Sequence, residues 1–561
     1  MVESNVYDAI VIGSGISGGW AAKELTEKGL KTIMLERGRN VEHVKDYHAN
    51  KDPWEYPHRG GRTKQMEEDY PVLKRDYPLN EKNLDFWVNE KESPYTEIKR
   101  FDWYRGYQVG GRSLTWGRQS YRFSDLDFEA NLRDGHGTDW PIRYKDIAPW
   151  YSYVERFAGI QGNRDGLDVL PDGEFMPAIP MNVVEKDYAA RLKEKFGGTR
   201  HFIHARTANI TVPHNGRVNC QFQNQCWLGC NFGAYFSTQS ATLPAAVKTG
   251  NLTLRPHSIV TRILYDKDTK KATGVEIIDA ETNQTYEFYA KIIFVNASAF
   301  NSTWVLMNSA TDVWEGGLGS SSGQLGHNAM DHHFRLGAGG RIEGYEDKYI
   351  FGRRPGGLYV PRFVNVPGDT KKRDYVRGFG YQGAANRGRW SGSVEEKSVG
   401  GAWKDAMLEP GNWSIGFGAF GEILPYHENR IFLDKNTKDK WGLPVLAMDM
   451  EIKENEKKMR HDMTEEMKEM LEEIGVKDVY TYDNGYGFGQ GIHEMGTARM
   501  GTDPSNSVLN KHNQVWDALN VFVTDGAAMT SGACINPSLT YMALTARAVD
   551  FAVGELKKGN L

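Results

Sequence analysis

The stretch Val6-Tyr-Asp-Ala-Ile-Val-Ile12-Gly13-Ser-Gly15-Ile-Ser-Gly18 decides the fold. Residues 6–12 form a short apolar, β-branched run that reads as a strand, and residues 16–28 read as a helix. Leu30–Leu35 reads as a second strand, closing on Glu36. The unit is therefore strand–turn–helix–strand with G-x-G-x-x-G at the turn, the setting in which that spacing binds a dinucleotide. Gly13 permits the tight turn, Gly15 lets a pyrophosphate approach the backbone, and Gly18 lets helix and strand pack closely. The helix start adds unpaired N–H groups and the positive end of its dipole. Glu36 offers a carboxylate to a ribose.

Composition narrows the class. The 561 residues are 40% hydrophobic, enough for two to four domain equivalents with real cores. A net charge of −5, from 68 basic and 73 acidic residues without long blocks of either sign, argues against nucleic acid or an anionic membrane as the main partner. No run approaches the ~18 apolar residues of a membrane span. Four cysteines do not make a disulfide framework. With the first strand starting near residue 6, the chain is expected to carry no signal peptide of its own.

Outward from the first unit, residues 37–100 lack periodicity and read as a cover or surface excursion. Residues 105–123 carry Gly110-Gly111, Ser113, Thr115 and Trp116, a pattern in which backbone presses against a flat ligand while the hydroxyls hydrogen-bond to it. Residues 144–158 and 182–196 read as amphipathic helices. Cys220, Cys226 and Cys230 fall within eleven residues. Structural zinc wants four ligands, often in C-x-x-C pairs, whereas three thiolates suit an iron–sulfur cluster. Spacing alone leaves that cluster, an incomplete zinc site and chance clustering open.

Further along, Leu252–Leu254, Ile259–Tyr265, Gly274–Ile278 and Tyr289–Val295 alternate as strands and lead to a helix over 300–307. His332-His333 invites a metal reading, but adjacent side chains on an extended chain point to opposite faces, so polar packing is expected. Residues 334–450 read as an antiparallel sheet presenting Trp, Tyr, Asn and Glu to a polar ligand, notably between Tyr381 and Glu422. Residues 454–474 carry a methionine stripe at helical spacing, which reads as core. Near the C-terminus, His493 precedes a glycine-bracketed turn, a strand ends at Asp525-Gly526, and Asn536 precedes a last helix with Pro537 at its first position.

The Gly13–Gly18 turn with Glu36, the Gly110–Trp116 stretch, His493-x-x-Gly-Thr-x-x-Met-Gly and Asn536-Pro537 occur in this order. Together they resemble the glucose–methanol–choline (GMC) flavoprotein oxidoreductases, essentially end to end. The resemblance implies an α/β FAD-binding Rossmann-type domain interleaved with an α+β substrate domain carrying an antiparallel sheet. The FAD domain would comprise 1–40, 101–140, 200–330 and 491–561; the substrate domain 141–199 and 331–490; and 41–100 would be a cover. It implies His493 as catalytic base with Asn536 as its partner. The cofactor-binding residues it implies are Gly13, Gly15, Ser17, Gly18, Glu36, Arg37, Gly110, Gly111, Ser113, Thr115, Trp116, Ala297, Asp525, Gly526 and Pro537. FAD is expected to be non-covalent, because no histidine lies between Gly110 and Tyr121.

Within that family the cysteine loop, 219–232, is similar to the [3Fe-4S] loop of bacterial sugar dehydrogenases, with Cys220, Cys226 and Cys230 as ligands. The expected reaction is oxidation of a sugar hydroxyl, at C3 of a glucoside as first choice, by hydride transfer to flavin N5. Glu494 adjoins the base and is assigned no direct role. Electrons would leave through the cluster to a c-type cytochrome or other protein acceptor. The resemblance also implies a small accessory subunit, which would place the enzyme in the periplasm by carrying the export signal; a cytoplasmic enzyme fits the sequence equally. Rival readings are an oxygen-using oxidase, a non-catalytic flavin subunit and a nicotinamide-dependent dehydrogenase.

Overall fold

A computed structural model describes residues 5–350, 352–388, 400–408, 410–485 and 487–561. Arg389 and Trp390, part of the stretch expected to face a sugar, lie outside the described residues.

The first sheet is built round Ala9–Ile12, every residue of which is buried. This strand pairs in parallel with Thr32–Leu35 on one side and Ile292–Val295 on the other. Leu252–Arg255 and Ala518–Val523 extend the sheet outward, both parallel, and Gln514–Val515 closes one edge antiparallel. Val6 falls outside the strand and is 59% exposed, so the expected strand is shorter at its start. The segment expected as one strand over 289–295 divides in two. Thr285–Tyr289 ends a hairpin sheet with exposed positions, whereas Ile292–Val295 is wholly buried and enters the parallel sheet.

The turn after Ala9–Ile12 shows why glycine is needed. Gly13 sits at φ +93°, and a methyl on Gly18 would lie 2.0 Å from the Gly13 carbonyl oxygen. Helix Ile16–Glu27 therefore starts in backbone contact with the strand that feeds it, and packs against the last helix, Ser538–Lys557. Pro537 caps that helix rather than opening it, one position earlier than expected.

The second sheet is antiparallel, in the order Lys477–Asp483, Leu336–Ile342, Trp413–Gly421, Phe379–Arg387, Leu358–Val360 and Ile203–His204. Alternation divides its two faces. Tyr381, Ala385, Ile415, Phe417 and Ala419 are buried in one core cluster with Met459, Met463, Met467 and Met470 of helix Glu454–Glu473. The methionine stripe is core, each buried side chain contributing about 1.5–3 kcal/mol of transfer free energy. The intervening residues, Gln382, Ala384, Asn386, Ser414, Gly416, Gly418 and Phe420, face the other way. Arg430–Lys438 and Pro444–Asp449, expected in this sheet, instead pair with Thr96–Glu97 in a separate three-stranded sheet. The 37–100 segment makes short helical turns round its own small cluster of Met66, Leu73, Leu79 and Trp87.

Gly18→Ala tests the strand–helix contact. The clash is backbone against backbone and nothing flexible can yield, so unfolding in urea should show a loss at the upper end of overpacking, about 3 kcal/mol. A variant as stable as the parent would mean that the helix start tolerates displacement.

Candidate active site

A cavity of about 920 Å³ lies between the C-terminal ends of the parallel strands and the polar face of the second sheet. Strand ends in an open α/β sheet are where ligands bind. Gly13, Glu36, Ala297 and Asp525 follow four adjacent strands, and all line this cavity.

At the nucleotide end, Glu36 Oε2 accepts hydrogen bonds from Ser14 N (3.0 Å) and Ser14 Oγ (2.5 Å), and its Oε1 accepts one from Gly38 N (3.0 Å). Burial pushes its carboxyl up, while these donors pull it back. Ser14 Oγ also accepts from Gly110 N at 2.9 Å, which locks the two glycine turns together. A methyl on Gly15 would meet no protein atom within 4 Å, so the space beside it is the cavity itself. Ser17, Gly111 and Thr115 line the same wall.

Two of the expected residues also brace the scaffold while lining the cavity. Ser113 Oγ donates to Gly110 O (2.6 Å) and accepts from Thr238 N (3.1 Å), and Trp116 Nε1 donates to Phe236 O (2.9 Å). Arg37 turns into an aromatic box, 4.9 Å from the Tyr107 ring and 5.0 Å from Trp441, and pairs with Asp439. Asp525 accepts from Ser302 Oγ and Ala527 N, and burial lifts its pKa to about 6. Gly526 passes so close to Glu494 that a methyl there would lie 2.3 Å from its carbonyl oxygen. Gly18, Gly110 and Pro537 set the backbone course without lining the cavity.

At the other end, His493 and Asn536 come together: Asn536 Nδ2 lies 3.1 Å from His493 Nε2. Gln382 Nε2, from the second sheet, donates to Asn536 Oδ1 at 2.6 Å. Asp331 holds the turn, accepting from the backbone N–H of Gly489, Gly491 and His493 at 2.9–3.1 Å. Glu494 points away from His493 and takes a bidentate pair with Arg112, at 2.9 and 2.6 Å.

The histidine pair behaves as its backbone dictates, with His333 beside Arg460 and His332 on the opposite side. His332 is nevertheless more than packing, because its Nδ1 lies 2.8 Å from His493 Nδ1. Sequence reasoning missed it, together with Gln382. No local motif signals a contact between residues so far apart in the chain. Burial lowers His332 to about 4, and desolvation with His332 and Arg112 nearby holds His493 well below its ordinary value. Phe420, Tyr480, Asn386 and Ser414 complete this end.

Cys220, Cys226 and Cys230 are free, half-buried and on the wall of the same cavity. Burial and the neighbouring Cys226 and Cys230 raise the Cys220 thiol pKa. Among the described residues, no group of three or more His, Cys, Asp or Glu side chains is arranged to hold a metal ion. The expected ligand set therefore shares a wall without converging on a point.

Comparison with known proteins fixes the family. The GMC oxidoreductase N-terminal model matches residues 7–334 and the C-terminal model residues 425–545. The chain belongs to the GMC oxidoreductase family. It is 31% identical over 97% of its length to a 2-methyl-1,2-propanediol dehydrogenase of Mycolicibacterium austroafricanum, covering 94% of that protein. It is 24% identical to the fructose dehydrogenase large subunit of Gluconobacter japonicus, over 99% of both chains. It is also 24% identical to a gluconate 2-dehydrogenase flavoprotein of Pantoea cypripedii, over 97% and 93%. A formate oxidase of Aspergillus oryzae shares the fold, with a TM-score of 0.60, 12% identity and complete coverage of both chains.

This GMC protein is thus a flavoprotein oxidoreductase, and the family implies FAD. The cradle fits that group: glycine backbone, open space beside Gly15 and a buried carboxylate on Glu36 meet at one helix start. No described helix is long and apolar enough to cross a membrane.

The lowered pKa of His493 has a kinetic consequence. Its neutral form should persist well below pH 6.5, so, on the expectation that His493 is the base, flavin reduction at saturating substrate should be flat from pH 8 to 6.5 and fall only further into acid. Stopped-flow rates that halve at pH 6.5 would contradict a desolvated His493.

Proposed function

We propose that the protein is an FAD-dependent dehydrogenase of a sugar or related polyol, C3 of a glucoside being the first candidate, with His493 as the base. The observation that carries this is His493 Nε2 beside Asn536 Nδ2 on the cavity wall, opposite a polar sheet face. A substrate hydroxyl replaces Asn536 as donor to His493 Nε2 and gives up its proton there, while Asn536 Nδ2 donates to the substrate oxygen. Bound FAD would supply the acceptor for the hydride that leaves the same carbon. Gln382 holds the Asn536 amide for this task.

Several features support a polyol. Gly416 and Gly418 leave room over the second sheet, Asn386 and Ser414 offer hydrogen bonds, and Phe420 and Tyr480 offer flat apolar faces. The relatives named for a diol, fructose and gluconate bear on the same class. No histidine lies between Gly110 and Tyr121, which favours non-covalent binding.

Cys220, Cys226 and Cys230 would hold a [3Fe-4S] cluster, which supplies a one-electron outlet when bound. Spacing and a shared wall support this, and binding requires the loop to gather the three sulfurs. Names such as large subunit and flavoprotein among the relatives support a small accessory subunit; a c-type cytochrome as acceptor and a periplasmic site of action complete the proposal.

The direct test is anaerobic absorbance with methyl glucoside, glucose and a 1,2-diol in separate samples. Bleaching of flavin by methyl glucoside is expected, and His493→Gln should slow it by about 10²–10⁴. Bleaching by none of the three would sink the substrate class, and an unchanged His493→Gln rate would remove the base.

Iron and acid-labile sulfide test the cysteine loop separately. Both should accompany the holoenzyme and be lost in Cys226→Ser; their absence after anaerobic reconstitution would dismiss the cluster.

A further inference from the structure

The contacts round His493 leave one way to distribute the ring protons. His332 Nε2 lies 3.1 Å from the Gly532 carbonyl oxygen and 2.9 Å from that of Ala533. Carbonyl oxygens only accept, so His332 Nε2 carries a hydrogen. His332 is fully buried and neutral at neutral pH, which leaves its Nδ1 as a bare acceptor. That atom faces His493 Nδ1 at 2.8 Å, so the hydrogen between the two rings belongs to His493.

The other side of the ring agrees. Gln382 Nε2 donates to Asn536 Oδ1, which turns the Asn536 amide nitrogen towards His493 Nε2. An amide NH₂ only donates, so His493 Nε2 accepts. The opposite tautomer would set two lone pairs face to face at the Nδ1 atoms and two donors face to face at Nε2.

Resting on the reading of His493 as base, we propose that His332 is a positioning residue that selects the Nδ1–H tautomer of His493, aiming the basic lone pair of Nε2 at the substrate hydroxyl. When Nε2 takes the proton, the Nδ1–H bond to His332 is already formed and nothing must reorganise. His332 itself neither gains nor loses a proton.

The first test needs no substrate. In [¹⁵N]histidine-labelled holoenzyme, His493, assigned by the resonances lost in His493→Gln, should show a protonated Nδ1 and an unprotonated Nε2. A protonated Nε2 would overturn the proposal. The second test compares two variants matched for FAD content. His332→Leu removes the acceptor and should slow flavin reduction about a hundredfold. His332→Asn places its Oδ1 near the position of the lost Nδ1 and should restore most of the rate. A His332→Leu rate equal to the parent's, or His332→Asn as slow as His332→Leu, would overturn the assignment. If His332→Leu does not fold, the tautomer in the unaltered enzyme decides alone. If no alcohol reduces the flavin, the functional reading falls while the tautomer still stands or falls by its own spectrum.

Discussion

The buried carboxylate of Asp331 is the constraint on which the active-site turn depends. Its two oxygens accept three backbone N–H groups from the segment 489–493. That segment needs help, because Ile492 sits at φ +57°, a conformation that costs a non-glycine residue on the order of 1–3 kcal/mol. Hydrogen bonds to a charged acceptor contribute about 1.5–3 kcal/mol apiece, enough to offset that strain. The next residue along, His332, faces the ring that Asp331 has just positioned. One dipeptide thus places the His493 backbone and, on the proposal above, sets its protons.

The cavity is the meeting of two periodicities. Parallel strands end together, so Gly13, Glu36, Ala297 and Asp525 arrive on one rim although they are scattered through more than five hundred residues of chain. The antiparallel sheet supplies the opposite wall through its period of two. Along Phe379–Arg387 and Trp413–Gly421, Phe379, Tyr381, Ala385, Trp413, Phe417 and Ala419 go to the core with the methionine helix, and Gln382, Ala384, Asn386, Ser414, Gly416, Gly418 and Phe420 to the cavity. A one-residue slip in register would put Phe417 in place of Gly418 on that wall, so core packing and substrate shape are fixed by the same register.

What was legible in the sequence was local. The Gly13–Gly18 turn, the methionine stripe and the two helices over 144–158 and 183–195 each carry their signal within one or two turns of chain. What was not legible depends on a partner far away. Ser113 and Trp116 line the cavity, and only the fold shows that they also bond to Thr238 and Phe236. The apolar run at 289–295 looks continuous because nothing local marks where a hairpin ends and a buried parallel strand begins. Gln382 is one polar residue among several in its strand, and only the fold brings it to Asn536. The three cysteines show the reverse case, a strong local signal whose side chains share a wall without forming a metal-ion site.

The electrostatics of the site bear on how the proposed reaction divides its work. Arg112 lies close enough to disfavour an imidazolium at His493, although Glu494 neutralises part of its charge. A base held below its ordinary pKa is unprotonated at neutral pH but pulls weakly, so it cannot generate a free alkoxide cheaply. Loss of hydride from the carbon relieves the charge on the substrate oxygen by forming a carbonyl. In the proposed reaction, proton uptake by His493 is driven from the substrate side, by hydride departure, rather than by the strength of the base. On this argument the tautomer matters more than the pKa: a weak base must at least present its lone pair to the proton it takes.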